Sequence, residues 1–126
     1  MLDHLAIQVQ DVAASAAFYD AVLAPLGGGV RKRFGENVGF GAAGSAAGHP
    51  ALWLVPACDQ ERAREVHLAF AAADRTTVDA FHDAAVAAGA EVLHAPRLWP
   101  DYHATYYAVF VRDPDGNNVE AVCHRP

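Results

Sequence analysis

Hydrophobic and polar residues alternate at the start of the chain, and the same alternation returns halfway along it. In "DHLAIQVQD", Asp3 to Asp11, side chains His4, Ala6 and Gln8 fall on one face of an extended segment and Leu5, Ile7 and Val9 on the other, because strand side chains alternate with a period of two. In "VHLAFAAAD", Val66 to Asp74, residues His67, Ala69 and Ala71 oppose Leu68, Phe70 and Ala72. Each run predicts a strand with an apolar face to set against a helix and a second face kept small and open. Asp11 and Asp74 then stand where an N-cap belongs, ahead of alanine-rich runs with apolar residues at helical spacing, such as Phe18 with Val22 and Val78 with Phe81 and Ala85. Gly27 to Gly29 and Gly89 stop these helices. Short apolar runs broken by glycine and proline predict further strands at Val38–Phe40, Leu52–Val55, Val92–His94, Tyr106–Val111 and Asn118–Val122. Asp113-Pro114-Asp115-Gly116 predicts the turn of a hairpin between the last two, and "GAAGSAAGHP", Gly41 to Pro50, a hairpin loop in the first half.

The recurrence extends beyond one strand. An offset of 63 residues, half of the 126, pairs His4 with His67, Leu5 with Leu68, Asp11 with Asp74, Phe18 with Phe81 and Asp20 with Asp83. That period exceeds the roughly 20–50 residues of solenoid repeats, so a duplicated half-domain is the better account. The expected architecture is α+β: strand, helix, then two or three strands, written twice, as residues 1–63 and 64–126 of one domain.

Composition narrows the function. At 126 residues and 53% hydrophobic, the chain suits one globular domain with a real core. The formal charge of -6, with no basic cluster beyond Arg31, Lys32 and Arg33, gives no footprint for nucleic acid or an anionic membrane and leaves a small neutral or mildly polar molecule as the expected partner. Arg31 and Arg33 read as a solvated strand or loop face. No segment approaches the roughly 18 apolar residues of a membrane span, and Met1 leads into a strand rather than a signal peptide, so the expected compartment is the cytoplasm. Cys58 and Cys123 are too few and too far apart for a disulfide framework or a CxxC knuckle and are expected to be reduced, packed thiols.

Three residues then stand out. His4 and His67 hold equivalent places on equivalent strands, each on the less apolar face, and would converge if the halves pair about a pseudo-two-fold axis. Glu120 lies in an otherwise apolar terminal strand, with Asn118 and Val122 on its own face and Val119 and Ala121 on the other. A carboxylate there carries a large desolvation cost unless something pairs with it. A divalent cation would do so, and two imidazoles with one carboxylate leave positions open for water and substrate, as a catalytic metal requires.

On these residues the chain resembles the vicinal oxygen chelate superfamily, which includes glyoxalase I, extradiol dioxygenases, fosfomycin-resistance enzymes and metal-free bleomycin-resistance proteins. The resemblance covers nearly the whole chain and rests on "DHLAIQVQDVAASAAFYDAVLAPLG", "HLAFAAADRTTVDAFHDAAVAAGAEV" and "YYAVFVRDPDGNNVEAV". It places the family's first-strand histidine on His4, its fifth-strand histidine on His67 and its last-strand glutamate on Glu120. It implies two paired βαβββ modules forming a curled mixed-sheet cup with helices outside, a divalent metal (Fe, Ni, Zn or Mn), and a homodimer. One feature departs from glyoxalase I, which has a fourth ligand, usually glutamate, in the strand that ends the first module. The run here is "ALWLVP", where Leu52 or a neighbour takes that place and none can bind a metal, so the set is closer to that of extradiol dioxygenases.

The segment "PRLWPDYHATYY" supplies candidates to face the metal. Tyr102, Tyr106 and Tyr107 are candidates to hydrogen-bond a substrate oxygen, His103 to act as a general acid or base, and Trp53 and Trp99 to close an apolar wall. His49, His82, His94 and His124 are given no role. Two functions remain open. One is a metal-dependent enzyme that chelates adjacent oxygens of a small substrate, with lyase, isomerase or ring-cleaving dioxygenase chemistry. The other is a metal-free protein of the bleomycin-resistance type that sequesters an aromatic or cationic small molecule in an apolar cup.

Overall fold

The structure is a computed structural model that describes residues 2–44, 49–59, 61 and 63–126. Among the described residues two α-helices and eight strands form an α+β fold of two βαβββ modules, which are two compact units, residues 1–64 and 65–126. Among the described residues no helix is long and apolar enough to cross a membrane.

The first unit runs β1 (Leu5–Val9), α1 (Val12–Leu23), a 3-10 turn (Ala24–Leu26), β2 (Gly28–Phe34), β3 (Asn37–Ala42) and β4 (Leu52–Pro56). Its sheet has the order β1-β4-β3-β2, with β1 parallel to β4 and the other pairs antiparallel. Asp11 Oδ1 accepts from Ala14 N–H at 2.9 Å and starts α1. Val9, Tyr19, Val22 and Leu54 are wholly buried in its core. At the helix exit the left-handed φ of 73° falls on Gly27, where a side chain would be strained.

The second unit runs β5 (His67–Ala71), α2 (Arg75–Ala87), β6 (Val92–Leu98), β7 (Tyr107–Arg112) and β8 (Asn118–Cys123), in the order β5-β8-β7-β6 with β5 parallel to β8. Asp74 Oδ1 accepts from Thr77 N–H and Oγ1–H, both at 2.8 Å. The same hydrogen bonds hold the Asp74 carboxyl below the usual range, the backbone one foremost. Val78, Phe81 and Ala85 of α2 and Val109, Val111, Val119 and Ala121 of the sheet form a core with no exposed surface.

The predicted helix starts and hairpin agree with the structure, and the differences have physical causes. No apolar run marks β2 between Gly29 and Val38, where Arg31 and Arg33 read as either a solvated strand or a loop face, and the structure makes it a strand. That strand lies at a sheet edge, carries Arg31, Lys32 and Arg33 and shifts register between Val30 and Lys32, so it has no apolar alternation. Strand β6 reaches Leu98 rather than His94 because Pro96 lies on an edge strand, at a register shift between His94 and Arg97, where a missing N–H is tolerated. Residues 45–48 of the predicted Gly41–Pro50 loop lie outside the described residues. Both cysteines are free, but only Cys123 is packed, and Cys58 is exposed.

Candidate functional site

Strand β8 sets Glu120 in register with Ala69 of β5 and Phe110 of β7, on the face turned away from α2. The side chain is 1% exposed. Its oxygens are divided between two partners: Tyr106 Oη–H donates to Oε1 at 2.5 Å, and His67 Nε2 stands 2.8 Å from Oε2. Since a carboxylate accepts, the imidazole donates its Nε2–H. Burial, and then the bond to Glu120, pushes the Tyr106 phenol well above its ordinary range, so it stays a donor. Beside them Asn118, the register partner of His67, keeps a buried Oδ1 with no hydrogen-bond partner among the described residues. An orphan acceptor of this kind costs about 1–3 kcal/mol and calls for a donor or a cation.

The turn before β8 fixes this arrangement. Asp113 Oδ1 accepts from Asp115 N–H at 2.9 Å and Asn117 N–H at 2.8 Å, and Oδ2 accepts from Asn117 Nδ2 at 2.8 Å. Asn117 Oδ1 in turn accepts from Val66 N–H at 3.1 Å. The DPDG segment therefore ties the start of β8 to the residue preceding His67 and sets the register in which His67 and Glu120 meet.

The loop between β6 and β7 adds aromatic surface to the same unit. Trp99 stacks on Tyr102 with centroids 5.8 Å apart, Tyr102 meets Tyr106 edge-on at 5.2 Å, and the Arg97 guanidinium lies 3.5 Å over the Trp99 ring. Phe110 joins this group, touching Trp99 at 5.1 Å and His67 at 5.9 Å. His94 also belongs to it, edge-on to Trp99 at 5.0 Å; only its place in β6 opposite Phe110 reveals this. Tyr107 takes the other side of the strand, where its hydroxyl donates to Asp79 of α2 at 2.8 Å, so it does not share the Glu120 face. Burial, and then the Asp79 bond, raises its phenol as well. His103 is exposed in the loop, with Nδ1 3.0 Å from Thr105 Oγ1.

The first unit presents a different face. His4 is half-exposed, with Nδ1 2.7 Å from Asp3 Oδ1. Ala6 pairs with Trp53 across the parallel β1–β4 ladder as Ala69 pairs with Glu120 across β5–β8. Trp53, the neighbour of Leu52, is therefore the counterpart of Glu120. Where the second unit has an imidazole and a carboxylate, the first has an imidazole and an indole.

Among the described residues no group of three or more His, Cys, Asp or Glu side chains is placed to hold a metal ion. The second unit nonetheless contains donors that fit one: an imidazole nitrogen, a buried carboxylate and an orphan amide oxygen. Removing the Tyr106 hydroxyl tests how far the carboxylate depends on its neighbours. Tyr106→Phe leaves Glu120 Oε1 without its donor and lowers the stability of the metal-free protein by about 1–3 kcal/mol in urea unfolding, whereas a rim contact would cost a few tenths.

Comparison with known proteins agrees with this architecture. A glyoxalase/bleomycin resistance protein from Albidiferax ferrireducens is 26% identical and superimposes with a TM-score of 0.80, covering 96% of this chain and 97% of its own. A glyoxalase/bleomycin resistance protein/dioxygenase family enzyme from Burkholderia phytofirmans (22% identity, TM-score 0.74, 98% of each chain) and the lactoylglutathione lyase from Agrobacterium tumefaciens (24%, 0.69, 98% of this chain and 92% of its own) share the fold. No protein of curated function matches the sequence. Residues 1–121 match the family described as the Glyoxalase/Bleomycin resistance protein/Dioxygenase superfamily, and the chain belongs to that superfamily.

Proposed function

We propose that the protein is a metal-dependent enzyme of the glyoxalase and dioxygenase type, acting on a small substrate with two adjacent oxygens. The observation that carries this reading is the Glu120 carboxylate, 1% exposed, with Oε2 2.8 Å from His67 Nε2. His67 and Glu120 would hold a divalent ion, and His4, the counterpart of His67, is proposed as the third ligand. When bound, Fe, Ni, Zn or Mn would supply Lewis-acid stabilisation of an anionic substrate oxygen. Tyr106 holds Glu120 in one orientation through Oε1, and Phe110, the register partner of Glu120 on β7, packs edge-on to the Trp99 ring. The proposal extends to lyase, isomerase or dioxygenase chemistry in a homodimer in the cytoplasm, on the strength of the superfamily.

A second reading, metal-free sequestration, is favoured by one feature: Trp53, not a carboxylate, at the counterpart of Glu120. Metal reconstitution separates the two. Chelator-stripped protein loaded anaerobically with Fe(II), Ni(II), Zn(II) or Mn(II) is expected to retain about one ion per chain, and under about a tenth with every metal would favour sequestration. The loaded protein is then screened with catechols, glutathione hemithioacetals and epoxides.

A further inference from the structure

The first unit contains an open groove of about 380 Å³ on its sheet face. Trp53, Phe34 and Val55 supply its apolar walls, and His4, Lys32 and Asn37 its polar groups. Phe34, at the end of β2, is 71% exposed and so is open to a ligand. The indole is pinned: a Cβ on Gly39 would stand 3.1 Å from Trp53 Cε3 and 2.6 Å from the Pro50 ring, so Trp53 and Pro50 both cover the glycine. Gly39 is the register partner of Trp53 on one side and of Lys32 on the other, which sets an ammonium and an indole in one row across the sheet.

Charge decides what fits. In a chain of net charge -6, the permanent charge lining this groove among the described residues is the Lys32 cation, which makes no ion pair with any of them. The nearby Asp3 is engaged by His4. Of the Arg31-Lys32-Arg33 run, Arg31 is tied to Gly41 O at 3.1 Å, and Arg33 lies outside the groove's lining. An aromatic wall, an unpaired ammonium and an amide select a flat ring bearing an anionic oxygen group and disfavour a cation.

We infer that the first-unit groove binds a planar aromatic carboxylate, with Trp53 and Phe34 against the ring, Lys32 on the carboxylate and Asn37 on a second oxygen. As the substrate class of the enzyme, this rests on the metal-dependent reading above; as a binding site, it does not.

The test is a titration of chelator-stripped protein with benzoate, and with neutral benzamide as control, followed by ¹H–¹⁵N NMR. Benzoate is expected to shift the amides of Lys32, Phe34 and Asn37 and the Trp53 indole N–H. Lys32→Met, an exposed edge-strand substitution, is expected to weaken benzoate about tenfold and leave benzamide unchanged. Trp53→Ala is expected to abolish both, with the spectrum itself reporting whether the variant is folded. Shifts that map outside the groove, no shifts at millimolar benzoate, or equal losses for benzoate and benzamide in Lys32→Met would overturn the inference. Because no metal is present, failure here leaves metal uptake untouched, and failure of metal uptake leaves this result standing.

Discussion

Glu120→Gln is expected to lower divalent-metal affinity by more than about 100-fold while leaving the protein folded. Loss of an outer-shell partner alone typically costs about 10–100-fold, and the exchange here removes a charged donor. The fold survives because the amide is nearly isosteric. Its carbonyl still accepts from Tyr106 Oη–H, and its NH₂ faces His67 Nε2, which then takes the tautomer that accepts. Competition against a calibrated chelator, read as metal per chain, is the measurement, with metal-free thermal unfolding as the control for folding. Wild-type affinity in this variant would remove Glu120 from the metal site and leave the sequestration reading in possession. Any turnover found with the loaded enzyme should fall in parallel, since ligand loss acts before substrate binds.

The second large effect lies outside the site. Asp113→Ala is expected to destabilise the protein by about 3 kcal/mol, a drop in Tm of roughly 10 °C. The substitution removes the acceptor for Asp115 N–H, Asn117 N–H and Asn117 Nδ2 in a side chain only 5% exposed. It also removes the Oδ2 anchor on Asn117 Nδ2, which orients the amide whose Oδ1 accepts from Val66 N–H. Asp113→Asn, which keeps Oδ1 as an acceptor and loses only the Oδ2 contact, should fall between wild type and alanine. Urea unfolding followed by circular dichroism gives the ranking, and a loss below about 1 kcal/mol for alanine would show that the turn does not set the register of β8.

What the sequence discloses depends on how strongly each residue's surroundings mark its pattern. Strands β1 and β5 alternate cleanly, and Asp11 and Asp74 have no better use than capping. Glu120 stands out because a lone carboxylate between Val119 and Ala121 needs an explanation. Strand β2 gave no such mark, since an edge strand's polar residues resemble a solvated loop, and Lys32 was hidden between two arginines for the same reason. Tyr106 and Tyr107 differ only in phase. Adjacent strand residues point to opposite faces, so one meets Glu120 and the other Asp79. Nothing local to "TYY" says which. The correspondence of Trp53 with Glu120 needs the ladder, because it depends on which residues lie opposite Ala6 and Ala69.

The parallel pairing of each unit's first and last strands has a kinetic consequence. Residues 67–71 find their partners only at 118–122, so the chain must close a loop of about 50 residues before that ladder yields any enthalpy, and such closures slow folding. Residues 5–9 meet their partners at 52–56, so each unit carries a closure of similar length, and His67 emerges during synthesis well before Glu120.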